Sequence, residues 1–243
     1  MISFGKTDIG RVRNTNQDAF VCGRLDDNSV FAVVCDGMGG ANGGNIASSI
    51  AIRTISSRLT SSYRKGMTLA SMQNVLESAI AAANVEVYDE ASLNPDLHGM
   101  GTTLVMAVTI GDEVLVAHIG DSRAYVVTAD NIIEQITTDH SVVQQMVERG
   151  QITPEEAKTH PRRNFITRAL GVSDTVACDF AEFIKPEGAI VLLCTDGLTG
   201  MVEASDIAKI IRLSANADIP DRLIAAANRA GGSDNITVAM ITD

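Results

Sequence analysis

Five aspartates stand where apolar runs begin or end. Asp36 closes the run 30–35 in FAVVCDGMGG, and Asp196 follows another in IVLLCTDGLTG. Asp121 occupies the turn of AHIGDSRAY, Asp234 precedes the last apolar run in GGSDNITVAMI, and Asp18 opens DAFVC. Aspartate is a common turn residue, which would account for any one of these alone. Five of them joined to buried-looking strands raise a second reading. If the strand ends converge, the charges must be neutralised, and hard cations do that with oxygen ligands. A donor set of aspartate, backbone carbonyl and water suits Mg²⁺ or Mn²⁺, whereas zinc favours His and Cys. Gly37 lets the backbone turn so that its own carbonyl can face a cation.

The glycine-rich stretch VCDGMGGANGGNIASS, residues 33–48, also has the strand–loop–helix plan of a nucleotide site. The spacing excludes it. Counting G-x-G-x-x-G from Gly37 puts Asn42 at the third glycine, and counting from Gly39 puts Ala41 at the second. Gly39 and Gly44 have Walker A spacing, but Asn45 stands where lysine is required. A carboxylate at the strand end would also repel a pyrophosphate.

The chain has 243 residues, 45% hydrophobic and 20% charged, so it can bury a core. A net charge of −11 argues against nucleic acid as a partner. Cys22, Cys35, Cys178 and Cys194 form no C-x-x-C pair, so a zinc or redox motif is not expected. No basic and apolar leader opens the chain, and no apolar run has the length of a membrane span, so a cytoplasmic protein is expected.

The elements needed to position the aspartates can be read from periodicity. Strands are expected at 18–22, 30–35, 102–110, 114–119, 122–128, 132–136, 189–194 and 236–241. TIGDEV and HIGDSR read as hairpin turns, hence antiparallel pairing. Over 69–90, Met72, Leu76, Ile80, Ala83 and Val87 form one helical stripe that reads as core. Ser141–Gln144 and Thr153–Glu156 read as capping boxes, and Pro220–Ala230 as a helix stopped by Gly231 and Gly232. The pattern predicts an α+β fold in one domain, with sheets covered by helices.

The ordered series RVRNTNQDAF, VCDGMGG, MGTTLV, VAHIGDSRAY, TTDHSVV, GQITPEEAKTHPRRNFITRALG, LCTDGL and GGSDNITV resembles the metal-dependent PP2C-type (PPM) serine/threonine protein phosphatases in their compact bacterial form. The resemblance covers nearly the whole chain. It implies a four-layer α/β/β/α sandwich of two antiparallel sheets flanked by helices, with metals at one edge. It implies Asp36 as the carboxylate bridging two Mn²⁺ or Mg²⁺ ions, with Asp196 and Asp234 completing the first site. The Gly37 carbonyl would serve the second ion, with Asp18 nearby through water, and Asp121 would serve a possible third. Arg13 matches the arginine that grips the substrate phosphate, and a guanidinium suits this because it forks onto two oxygens. The reaction implied is hydrolysis of phosphoserine and phosphothreonine in proteins by water activated between two metals. The expected partners are phosphorylated proteins and a serine/threonine kinase that acts on them, met by a monomer. Residues 137–171 would form a helical flap beside the site, carrying His140, His160, Arg162, Arg163 and Arg168. His118 reads as structural.

One position departs from the pattern. Many bacterial relatives have histidine after DGMGG, a candidate acid for the leaving alkoxide; here it is Ala41. The competing reading is a weakened, phosphoprotein-binding pseudophosphatase, opposed by the retained aspartates. On the phosphatase reading, a water or a flap histidine, His140 or His160, supplies the proton. General acid catalysis is worth roughly 10²–10⁴-fold for a poor leaving group and little for a phenolate. Ala41→His is therefore expected to raise turnover of a phosphothreonine peptide selectively over an aryl phosphate. Equal effects on both substrates would refute the missing-acid account.

Overall fold

A computed structural model describes every residue except Asp27 and Asn131, with backbone alone at Ala41 and Asn42. Ala41 lies in the first helix by its backbone, and its side chain is outside the described residues. The strands are β1 (Ile2–Asp8), β2 (Asp18–Arg24), β3 (Val30–Met38), β4 (Gly101–Thr102), β5 (Leu104–Ile110), β6 (Glu113–Ile119), β7 (Arg123–Val127), β8 (Ile133–Gln135), β9 (Asp179–Ile184), β10 (Ile190–Cys194) and β11 (Ile236–Thr242). The helices are α1 (Gly40–Ser62), α2 (Leu69–Leu93), α3 (Val142–Glu148), α4 (Pro154–Thr159), α5 (Asp196–Thr199), α6 (Ala204–Arg212) and α7 (Ile219–Arg229). One sheet runs β1-β11-β10-β7-β8, and the other β2-β3-β5-β6-β9 with β4 paired to the end of β3. Every pairing is antiparallel.

The strands read as continuous apolar runs because both of their faces are buried. Successive side chains alternate between faces. In β3, Ala32 and Val34 meet Val191, Leu193, Ala239 and Ile241 of the opposite sheet, while Phe31, Val33 and Cys35 face helices α1 and α2. In β10, Leu192 and Cys194 turn the other way, toward Ile207 and Ile211 of α6 and Leu223 and Ile224 of α7. The result is the four-layer α/β/β/α sandwich that the resemblance implied. The α2 stripe is core, as its periodicity indicated: Met72, Leu76, Ile80, Ala83 and Val87 are buried. Met72, Leu76, Ile80 and Val87 each contribute on the order of 1.5–3 kcal/mol by leaving water.

Four expectations need correction. TIGDEV is a hairpin between β5 and β6, but HIGDSR is not: β6 pairs with β5 and β9, and β7 with β10 and β8. Residues 120–122 carry the chain from one sheet to the other, so Asp121 sits at the crossover. The run 102–110 is broken at Thr103, because Thr102 pairs with Leu170 while the Thr103 amide turns to the Asp36 carbonyl. Strands β1 and β9 had no alternating apolar signal and were not expected; they earn their place by pairing with β11 and β6. The insertion 137–171 holds two short helices, α3 and α4, in otherwise irregular chain. The Thr153–Glu156 capping box is present, and Ser141 accepts from the Gln144 amide.

Two glycines of the 33–48 stretch, Gly37 and Gly44, serve close packing where β3 meets α1. A Cβ on Gly37 would lie 2.0 Å from the Gly44 carbonyl oxygen, and one on Gly44 would lie 2.5 Å from that of Gly37. Both contacts are to backbone, which cannot swing aside. Gly44→Ala is therefore expected to destabilise the protein by about 1–3 kcal/mol, the usual cost of overpacking. A melting temperature within a degree of wild type would show that strand and helix can part without loss.

Candidate metal centre

The sheet register brings the aspartates to one end of the sandwich. Asp18, at the start of β2, pairs directly with Asp36 near the end of β3. In the other sheet Cys194 pairs with Val238 and with Arg123. The same end therefore carries Asp196 after β10, Asp234 before β11 and Asp121 before β7. The strand–turn join at Asp196 packs tightly on the segment before β11: a Cβ on Gly197 would lie 1.9 Å from the Asn235 carbonyl oxygen.

Buried hydroxyls bind the two sheets together here. Asp18 Oδ2 accepts from Thr195 Oγ1 at 2.9 Å and from Thr237 Oγ1 at 2.7 Å, both from the opposite sheet. The Asp36 amide donates to Thr103 Oγ1 at 2.9 Å, and Thr103 Oγ1 lies 2.7 Å from Ser122 Oγ, next to Asp121. Asn235 pins the 9–17 loop: its Oδ1 accepts from the Gln17 amide, and its Nδ2 donates to the Ile9 and Thr15 carbonyls. That loop delivers Arg13, whose Nη2 donates to Asp234 Oδ2 at 2.7 Å. A second guanidinium, Arg123, is engaged on both oxygens of Asp139.

Burial and mutual repulsion raise the pKa values of Asp18, Asp36, Asp121 and Asp196. Burial, then repulsion from Asp196 and Asp234, pushes Asp18 up to about 7 against the pull of its threonine partners. Burial and the charges of Asp196 and Asp139 push Asp121 up to about 7. Asp36 lies well above the ordinary range through burial and the charges of Asp18, Asp196, Asp121 and Asp234. Asp196 is raised by burial and by Asp234, although its contact with Asp36 opposes the shift. Among the described residues, buried side-chain oxygens without a hydrogen-bond partner are Asp18 Oδ1, Asp196 Oδ1 and Asn228 Oδ1. Two of the three are carboxylate oxygens of this cluster. An unpaired buried oxygen of that kind is costly. An all-oxygen set with orphaned carboxylate oxygens is the environment a hard divalent cation satisfies.

Of the residues singled out in the sequence, Asp18, Asp36, Asp121, Asp196, Asp234 and Arg13 act on one another electrostatically here. The backbone of Gly37 lies at the same end, against Gly44. His140 is not free to protonate a leaving group, since both ring nitrogens are engaged within the protein. His160 caps α4, with Nδ1 accepting from the Arg162 amide. Sequence reasoning missed Thr195, Thr237, Thr103 and Asn235. Thr195 and Asn235 adjoin predicted aspartates, which was the available signal; nothing in the sequence pointed to Thr237.

The sequence profile of the protein phosphatase 2C family matches residues 10–223. The serine/threonine phosphatase stp of Listeria monocytogenes is 38% identical over 242 residues, which span 97% of this chain and 93% of that one. Protein phosphatase PhpP of Streptococcus pneumoniae is 36% identical, over 97% of this chain and 95% of its own. Among solved structures, the serine/threonine phosphatase Stp1 of Staphylococcus aureus superposes with a TM-score of 0.93 at 35% identity, covering 100% of this chain and 95% of that one. The catalytic domain of the phosphatase PstP, in complex with two manganese ions, gives 0.85 at 34% identity, covering 98% and 96%.

The raised carboxyls predict how the metal-stripped protein responds to pH. Asp18 and Asp121 titrate near 7 when folded, against 3.8 unfolded. Between those values the folded state binds more protons, so stability falls as pH rises from about 4 to 7. The carboxyls held low, among them Asp8, Asp179 and Asp243, act below that window, and His140, held low by burial, opposes the fall as one group against the raised carboxyls. In EDTA the melting temperature is expected to fall from pH 5 to pH 7.5, and saturating Mn²⁺ to abolish the fall. A flat or rising profile in EDTA would show that the carboxylates are not crowded.

Proposed function

Because the chain belongs to the protein phosphatase 2C family and is a serine/threonine protein phosphatase, we propose that it hydrolyses phosphoserine and phosphothreonine esters of proteins with Mn²⁺ or Mg²⁺ held at this cluster. The observation that carries the reading is the pair of orphaned carboxylate oxygens, on Asp18 and Asp196, among carboxyls raised by burial and by mutual repulsion. Asp36, Asp196, Asp234 and the Gly37 carbonyl would hold two core ions, with Asp18 close by and Asp121 available to a third. Bound divalent ions supply the Lewis acidity that makes water a nucleophile near neutral pH and offsets charge on the phosphoryl oxygens.

The chain's own residues orient the reaction. Thr195 and Thr237 hold Asp18 by one oxygen and leave the other free. Asn235 holds the loop that presents Arg13. Arg13 pairs with Asp234 through one nitrogen, and its half-exposed fork leaves donors for the substrate phosphate. A cleft of about 240 Å³ runs from Met38, two residues beyond Asp36, along Arg168, Val172 and Val176. It offers a bed for the polypeptide on either side of the phosphorylated residue, beside the 137–171 flap. The substrates are phosphorylated proteins, a serine/threonine kinase and its targets among them, and the enzyme acts as a monomer. Among the described residues no helix is long and apolar enough to cross a membrane.

Phosphothreonine-peptide hydrolysis during a Mn²⁺ titration tests this. Asp196→Asn is expected to raise the Mn²⁺ requirement and lower saturated turnover by roughly 10²–10³-fold, the scale of losing one transition-state charge partner. Arg13→Ala is expected to lower kcat/KM with an unchanged Mn²⁺ midpoint. Activity that survives EDTA, or Asp196→Asn with wild-type metal dependence, would refute the reading.

A further inference from the structure

Among the described residues, one set of three potential ligand atoms comes within 4.8 Å of one another, and it is not made of the five aspartates: it is His118, His140 and Asp179. Both histidines are buried, with rings stacked at 4.6 Å between centroids and 20° between planes. Its hydrogen bonds argue against a metal. His140 Nδ1 receives the Gly120 N–H at 3.0 Å and must be an acceptor. Its proton therefore sits on Nε2, 3.1 Å from Asp179 Oδ2. His118 Nε2 faces the Thr138 carbonyl at 2.9 Å, so it too carries the proton. A cation taken by His140 Nε2 would have to displace that N–H, move the proton to Nδ1 against the Gly120 N–H, and tolerate Arg168, whose Nη1 lies 2.6 Å from Asp179 Oδ1.

The same bonds describe a latch. His140 satisfies both backbone groups of Gly120: its Nδ1 accepts from the Gly120 amide, and its own amide donates to the Gly120 carbonyl at 2.9 Å. Gly120 has φ +104, and a Cβ there would lie 2.7 Å from the Thr103 side chain, so the turn before Asp121 allows only glycine. On its other side the His140 carbonyl accepts from the Thr167 amide at 2.7 Å, and the next residues, Ser141 and Val142, pair with Ile166 and Phe165. Residue 140 is thus the joint between the Asp121 turn and the 141–167 segment. The Asp179 carboxylate, braced by Arg168, keeps the ring in the one tautomer that can hold Gly120.

We propose that His140 is a positioning residue that seats Asp121 by latching Gly120, and that links this seat to the 141–167 segment. The proposal rests on the reading of Asp121 as a cation ligand. Two near-isosteres separate the latch from general packing. In His140→Asn the amide oxygen stands near the Nδ1 position and keeps an acceptor for Gly120. In His140→Gln the amide reaches the Nε2 position and keeps the Asp179 contact alone.

In metal-stripped protein, His140→Gln is expected to speed hydrogen exchange at the Gly120 amide about fivefold, the worth of one net hydrogen bond, whereas His140→Asn stays close to wild type. In calorimetric Mn²⁺ titration, His140→Gln is expected to weaken the same binding step that Asp121→Asn weakens, and His140→Asn to leave it in place. Equal behaviour of the two His140 variants, in exchange or in Mn²⁺ binding, overturns the latch. If Asp121→Asn leaves Mn²⁺ binding unchanged, the reading of Asp121 as a ligand fails. The Gly120 exchange rates still judge the latch in that case, and equal rates overturn it. An equivalent of Zn²⁺ bound by the wild type, lost in His118→Asn and kept in Asp121→Asn, would make the cluster a metal site and also overturn the latch.

Discussion

Like charges buried together repel strongly, and the end of this sandwich is organised around that repulsion. Asp36 feels four other aspartates, and the two sheets that deliver them are locked together by the threonines gripping Asp18. Burial and that repulsion raise the carboxyl pKa values, and Arg13 pairs with Asp234. Neither satisfies Asp18 Oδ1 or Asp196 Oδ1. The unpaired oxygens lie at the rim, next to an apolar interior that is closely packed.

That repulsion depends on rigidity. Strand ends can crowd carboxylates only if they cannot spread, and the apolar layer between the sheets prevents spreading. Val34, Val191, Leu193 and Ala239 meet there without access to water. Close backbone contacts at Gly37–Gly44 and at Gly197 hold the loops to the same tolerance. The stability of the core and the strain of the site are in this sense one design: the first holds the second in place.

The flap segment is tied to this end differently, by directional polar contacts. His140 joins it to the Asp121 turn, and Arg168 with Asp179 closes the far side. Such contacts are few and individually modest, whereas the aspartates on strands β2 and β3 are held by the packed sheets.

The aspartates were legible in the sequence because strand ends leave a local signature: an apolar run, a carboxylate, a glycine. The α2 stripe and the Thr153 cap were legible for the same reason, since periodicity and capping act over a few residues. The ordered motifs carried the family and, through it, the four layers. What stayed hidden was set by long-range pairing. HIGDSR has the composition of a hairpin turn, and only the sheet order shows that it crosses between sheets. Strand β1 has no apolar alternation and exists because β11 offers it a partner. The grip of Thr237 on Asp18 spans 219 residues, and the tautomer of His140 depends on Gly120 and Asp179, which approach it from opposite directions. The sequence by itself determined which residues carry charge and where the apolar strands and the α2 helix would lie. Tertiary structure alone decided which carboxylates would share a site and which polar groups would hold them, because burial and repulsion act through space and not along the chain.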